Sequence, residues 1–156
     1  MIMNELEKYT SLNLKIGDNK IEKIFDLKTS KELKSFFKPL TEKNYKLYIL
    51  KKEQEFLYIG ITRQSLRNRI HSGFNAKGEN GYHGYKWKDF KNVKLFVWIF
   101  KNYNEIQLEN IEAELTYLIR TNTNNWPLYQ NEIHFNNEFE KGKEIAEKIF
   151  KLIEKQ

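Results

Sequence analysis

Apolar residues recur along this chain with two periods, and each period predicts a different kind of element. Tyr45 to Leu50 and Glu55 to Ile61 are apolar runs parted by the charged Lys51-Lys52-Glu53-Gln54, the pattern of two strands joined as a hairpin. Val93 to Phe100 is a third, largely buried strand. Leu66, Ile70 and Phe74 recur every fourth residue behind Ser65, which predicts a capped helix. Asn104 with Gln107 makes a capping-box start for a longer helix, whose apolar stripe is Leu108, Ile111, Leu115, Leu118 and Ile119. After a turn at Trp126-Pro127, a short stretch around Glu132 to Phe135 precedes a last helix from about Asn137. Upstream, Ser30 caps a helix running to about Phe37 and closed by Pro39, so residues 1–44 read as a helical preface. The expected fold class is α+β, a small three-stranded, mainly antiparallel sheet flanked by helices. One compact domain is expected, made of a helical extension (1–44), a core (45–135) and a C-terminal helix (136–156).

Composition narrows the classes of function. The chain has 156 residues and no cysteine, which excludes a disulfide framework, thiolate-held zinc and a thiol nucleophile. No apolar run approaches the roughly 18 residues of a membrane span. Met1 to Thr10 carry acidic residues and no apolar h-region, so a cytoplasmic protein without a membrane partner is expected. The net charge of +6 is unevenly spread: residues 45–103 hold 12 basic and 4 acidic side chains, whereas residues 104–156 hold 6 and 10. A basic middle suits a polyanion, and a lysine-rich solvated surface is the competing reading.

The densest candidate chemistry lies in that basic part. Tyr48 and Tyr58 stand in the two arms of the expected hairpin, where adjacent strands can bring both phenols to one face. Taken alone, a strand tyrosine is more often a packing residue. Gly60 follows the second arm and permits close approach, and Arg67 and Arg69 lie on the next helix. A glycine-studded loop then interleaves Tyr82, Tyr85 and Trp87 with Lys77, Lys86 and Lys88.

Leu47-Tyr48-Ile49 followed by Tyr58-Ile59-Gly60 resembles the paired motifs of the GIY-YIG nucleases, with Lys46-Leu47 standing in place of Gly-Ile. That family places an arginine on the following helix, a glutamate on a later helix and often an asparagine after it, and all three occur here in order between Tyr45 and Asn131. The family pattern favours Arg69, between Leu66 and Ile70, over Arg67. It favours Glu114, followed by Tyr117 and Leu118, over Glu112; both carboxylates border the apolar stripe. Asn131 is the candidate asparagine, with Gln130 a close competitor. The family's common His or Tyr four residues beyond the arginine would fall on Gly73, so that role passes to another residue or is absent. His83, in the loop, is favoured over His71, which lies on the wrong flank of its helix.

The resemblance implies an endonuclease, of restriction or mobile-element type, that hydrolyses phosphodiester bonds in double-stranded DNA with one Mg²⁺ or Mn²⁺ ion. Glu114 would hold the metal, Arg69 would contact the scissile phosphate, and Tyr48 would act as general base or position the water beside Tyr58. Arg63, Arg67, Lys77, Lys86 and Lys88 would track phosphates, with Trp87 as a base-stacking wedge or as an anchor for the loop. A restriction enzyme of this size is expected to act as a homodimer, because one site cuts one strand. The rival reading is a non-catalytic nucleic-acid-binding module that retains the fold.

Overall fold

The computed structural model describes residues 2–130 and 133–156. Its centre is a mixed-length sheet of six strands: β1 (Thr10–Gly17), β2 (Lys20–Asp26), β3 (Glu32–Leu33), β4 (Tyr45–Lys52), β5 (Glu55–Thr62) and β6 (Asn92–Phe100). They lie in the order β3-β2-β1-β6-β4-β5, and every neighbouring pair is antiparallel. The helices are α1 (Ile2–Glu5), α2 (Leu66–Asn75), α3 (Glu105–Thr123) and α4 (Gly142–Ile153).

The α+β class and the antiparallel pairing agree with expectation, but the sheet has twice the expected strands. The three anticipated strands are β4, β5 and β6, side by side. The other three come from the segment read as a helical preface. Residues 10–17 alternate, with Leu12, Leu14 and Ile16 buried on one face, and Asp18 and Asn19 both adopt positive φ in the turn to β2. That is the left-handed geometry favoured in two-residue hairpin turns. Where a helix was expected from Ser30, Ser30 itself has φ 61° and Glu32–Leu33 pair with Phe25 and Ile24 as β3. Because β1 pairs with β6, this N-terminal ribbon extends the same sheet that carries the hairpin.

Alternation along the strands divides the core. Leu47, Ile49, Phe96, Trp98 and Phe100 face α3 and α4, packing on Leu108, Ile111, Leu115, Ile119, Ile145 and Ile149. Tyr48, Leu50, Leu95, Val97 and the apolar face of β1 point the other way, against Leu66, Ile70 and Phe74 of α2 and against Tyr85 and Trp87. The Asn104–Gln107 capping box forms in full at the start of α3.

A buried lysine stands near each end of β4. The Lys46 Nζ donates to the carbonyls of Glu42, Asn44 and Gln64 at 2.6, 2.8 and 3.0 Å. This clasp ties the approach to β4 to the turn that launches α2, and it occupies the position where the family motif has glycine. The Lys51 Nζ donates to Ile153 and Gln156 carbonyls at 2.8 and 2.7 Å, closing the end of α4. Both ammoniums are fully shielded, and burial pulls each pKa down to about 8.

Candidate active site

The hairpin register places the two motif tyrosines together. Tyr48 pairs with Gly60 and Leu50 with Tyr58, so the two side chains are diagonal neighbours with ring centroids 6.0 Å apart. Gly60 is what lets the Tyr48 phenol cross the neighbouring strand, since a Cβ there would lie 2.5 Å from its Cζ and Oη. Arg69, on the second turn of α2, points into the same cluster. Its Nη1 donates to the Tyr82 hydroxyl at 2.7 Å, and its guanidinium lies 4.9 Å from the Tyr85 ring centroid and 5.6 Å from that of Tyr82. Tyr58, Arg69, Tyr82, Gly84, Tyr85, Lys86, Trp87 and Tyr129 line a cavity of about 90 Å³.

Charge and burial oppose each other in this cluster. Tyr48 is fully buried, and desolvation with the neighbouring phenols of Tyr85 and Tyr58 pushes its pKa well above 10. Burial raises Tyr58 and Tyr85 as well. Burial also opposes the charge of Arg69, but Tyr48, Tyr85 and Tyr82 outweigh it and hold the guanidinium above its ordinary value. At neutral pH the free protein therefore holds neutral phenols around a permanent cation.

The carboxylate that reaches this cluster is Glu112. Burial and the neighbouring Glu109 raise its pKa to about 8, its charge acts on Tyr58, and the Gln130 side chain hydrogen-bonds to it. Gln130 also accepts from the Ile59 N–H through Oε1 at 3.1 Å. Leu128 and Tyr129 donate to the carbonyls of Phe56 and Leu57, so residues 128–130 run along the outer edge of β5. Glu112 arrives at that edge from the α3 face while Tyr58 arrives from the α2 face. Glu114 projects two residues on, about 160° around the helix, on the flank of Asn110. Asn110 belongs with Asn136 and Gly142. The structure thus brings Tyr48, Tyr58 and Arg69 together, with Glu112 acting on Tyr58 from the edge of the cluster, Glu114 on another flank and Asn131 outside the described residues.

The remaining expected residues divide. His83 is exposed, with its imidazole over Gly78 and outside the cavity lining. Arg63, Arg67, Lys77 and Lys86 are exposed, as a phosphate-tracking surface requires. Lys88 is partly buried and donates to the Phe74 carbonyl at 3.1 Å. Trp87 is fully buried, edge-on to Phe74 at 4.8 Å and beside Tyr85 at 5.1 Å. Of its two expected roles, this geometry is that of the loop's anchor, because stacking on a base would require the indole to leave the core. Sequence reasoning missed the placement of Tyr85 in the site. The fact that the family position four beyond Arg69 is Gly73 was the one signal for it.

A divalent ion would find oxygen donors here but little else. Among the described residues no three His, Asp, Glu or Cys side chains gather as a metal cage. Glu112, whose raised pKa marks a carboxylate lacking a compensating cation, suits Mg²⁺, which keeps most of its waters and commonly takes one or two protein carboxylates.

Comparison with known proteins bears on this arrangement directly. Neither a curated protein nor a solved structure matches the chain. No helix among the described residues is long and apolar enough to cross a membrane. The family model of the GIY-YIG catalytic domain matches residues 44–127, more than half of the chain, and spans both tyrosines, Arg69, Glu112 and Glu114. The matched domain is that of a nuclease-type hydrolase, and the chain belongs to the GIY-YIG nuclease family.

Proposed function

We propose that this protein is an endonuclease that hydrolyses double-stranded DNA with one Mg²⁺ or Mn²⁺ ion. The observation that carries the reading is the convergence of Arg69 on the motif tyrosines, whose Tyr58 also feels the charge of Glu112 at the outer edge of β5. Arg69 offers a fixed cation for the scissile phosphate. Tyr58, which lines the cavity and is neutral in the free protein, is suited to orienting the attacking water rather than to deprotonating it unaided, with the equally neutral Tyr48 buried beside it. Glu112, held by Gln130, takes the metal-binding role that family spacing had given to Glu114, and Gln130 takes that expected of Asn131. What favours Glu112 is its electrostatic proximity to Tyr58 and the burial that raises its pKa, an effect a bound cation would reverse. The bound ion would stabilise negative charge on the leaving oxygen. Arg63, Arg67, Lys77 and Lys86 are the exposed cations placed to follow the duplex beyond the site. A homodimer would let two such sites cut both strands.

The test is cleavage of plasmid DNA with Mg²⁺ and with EDTA. Glu112→Gln and Arg69→Ala are expected to lower the rate about 1,000-fold, roughly 4 kcal/mol of transition-state stabilisation. Glu114→Ala should stay within a few-fold of the parent. DNA binding without metal-dependent cleavage would favour the non-catalytic module, and loss of activity only in the Glu114 variant would return the metal to that residue.

A further inference from the structure

Tyr48 does not line the cavity beside Arg69, and none of its surface is exposed. Its hydroxyl instead meets the hydroxyl of Tyr85 at 2.5 Å, and Tyr85 does line the cavity, together with Tyr58, Arg69 and Tyr82. The Tyr85 ring lies 5.4 Å from that of Tyr58 and 4.9 Å from the Arg69 guanidinium. A phenol from the glycine loop is therefore interposed between the buried motif tyrosine and the space where a phosphate would bind.

The seat for that phenol is built into the sequence at two glycines. At Gly73 an added Cβ would fall 2.1 and 2.2 Å from Tyr85 Cδ2 and Cε2, so the aromatic ring fills the volume that a side chain at position 73 would take. The Tyr85 N–H donates to the Gly73 carbonyl at 2.9 Å, fixing the loop against α2. Gly84 has φ +76°, and a Cβ there would lie 2.0 Å from the same carbonyl, so this close approach of loop to helix needs glycine on both sides. Trp87 and Phe74 close the packing behind the ring.

We propose that Tyr85 is a further catalytic residue: its hydroxyl contacts the attacking water or the scissile phosphate, and Tyr48 acts behind it as the other half of a hydrogen-bonded pair. This rests on the nuclease reading above and names the phenol through which that site meets its substrate. A pair acting as one unit gives non-additive losses.

Single-turnover cleavage of plasmid DNA with Mg²⁺ tests it, using the full chain and the variants Tyr85→Phe, Tyr48→Phe and their double. Tyr85→Phe keeps the ring in its seat but takes a partner from the buried Tyr48 hydroxyl, so the melting temperature should fall by only about a few degrees while metal-free affinity for a DNA duplex stays close to the parent's. The single-turnover rate is expected to fall about 100-fold. The double variant should be little slower than the slower single one. Gly73→Ala, which displaces the ring without removing its hydroxyl, should slow the parent but add little in the Tyr85→Phe background. A Tyr85→Phe protein that cuts at the parental rate, or faster, overturns the proposal; so do multiplicative losses in the double variant. A parent protein that does not cut at all would instead sink the nuclease reading on which the proposal stands.

Discussion

The two faces of the sheet are both closed by buried side chains, yet they are made of different chemistry. Against α3 and α4 the contacts are almost wholly aliphatic and aromatic hydrocarbon, from Leu47 and Ile49 to Ile145 and Ile149. Against α2 and the glycine loop the same strands bury phenols with a guanidinium among them. Hydrocarbon burial stabilises without specifying charge, whereas each buried hydroxyl must be matched by a partner. One face thus serves stability everywhere except where Glu112 of α3 reaches the edge of β5, and the other holds its stability and its chemistry in the same contacts.

The largest effect that would sharpen this contrast comes from Trp87→Ala. Removing the indole should cost about 4 kcal/mol, and it should also slow cleavage per folded molecule about 100-fold by freeing the loop that carries Tyr85. Leu115→Ala, on the opposite face, should cost about 3 kcal/mol in urea unfolding while leaving the rate of the folded protein unchanged. If both variants lost activity alike, or neither did, the division between the faces would be broken.

A smaller effect lies at the sheet edge where the faces meet. The Glu112 carboxyl titrates near 4.5 when unfolded and at about 8 when folded, so between these values the folded state binds the extra proton. Stability supplied by that proton is fully present below pH 4.5 and is lost as pH rises towards 8. In metal-free buffer the parent should lose on the order of 2 kcal/mol between pH 5 and 7.5 relative to Glu112→Gln. Parallel stability curves for the two proteins would refute the buried, uncompensated carboxylate.

What was legible in the sequence follows the same line. The hairpin, α2 and α3 each carry a period that packing dictates, so Tyr48, Tyr58 and Arg69 could be placed from spacing and motif. Glu112 and Glu114 both border the apolar stripe of α3, so the wheel left them open, and the family spacing, with Tyr117 and Leu118 after Glu114, favoured the latter. The structure centres that stripe on Leu108, Leu115 and Ile119, all fully or almost fully buried, and Glu112 lies about 20° from Ile119 on the helix wheel. The N-terminal strands were masked by Ser30, whose capping chemistry also suits a turn, although Leu12-Asn13-Leu14-Lys15-Ile16 does alternate. Tyr85 was beyond reach because its position depends on the path of a loop, and no periodicity encodes the meeting of Gly73 with a ring twelve residues away.

The two lysines that bracket β4 carry a consequence for how this protein reacts with amine-modifying reagents. With pKa values near 8, their amines are neutral more often than a surface lysine's and so are intrinsically the better nucleophiles, yet nothing dissolved in water can reach them. Acylation of Lys46 or Lys51 requires the chain to open first. Their modification therefore times separate events, release of the clasp at the head of α2 for Lys46 and departure of the end of α4 for Lys51.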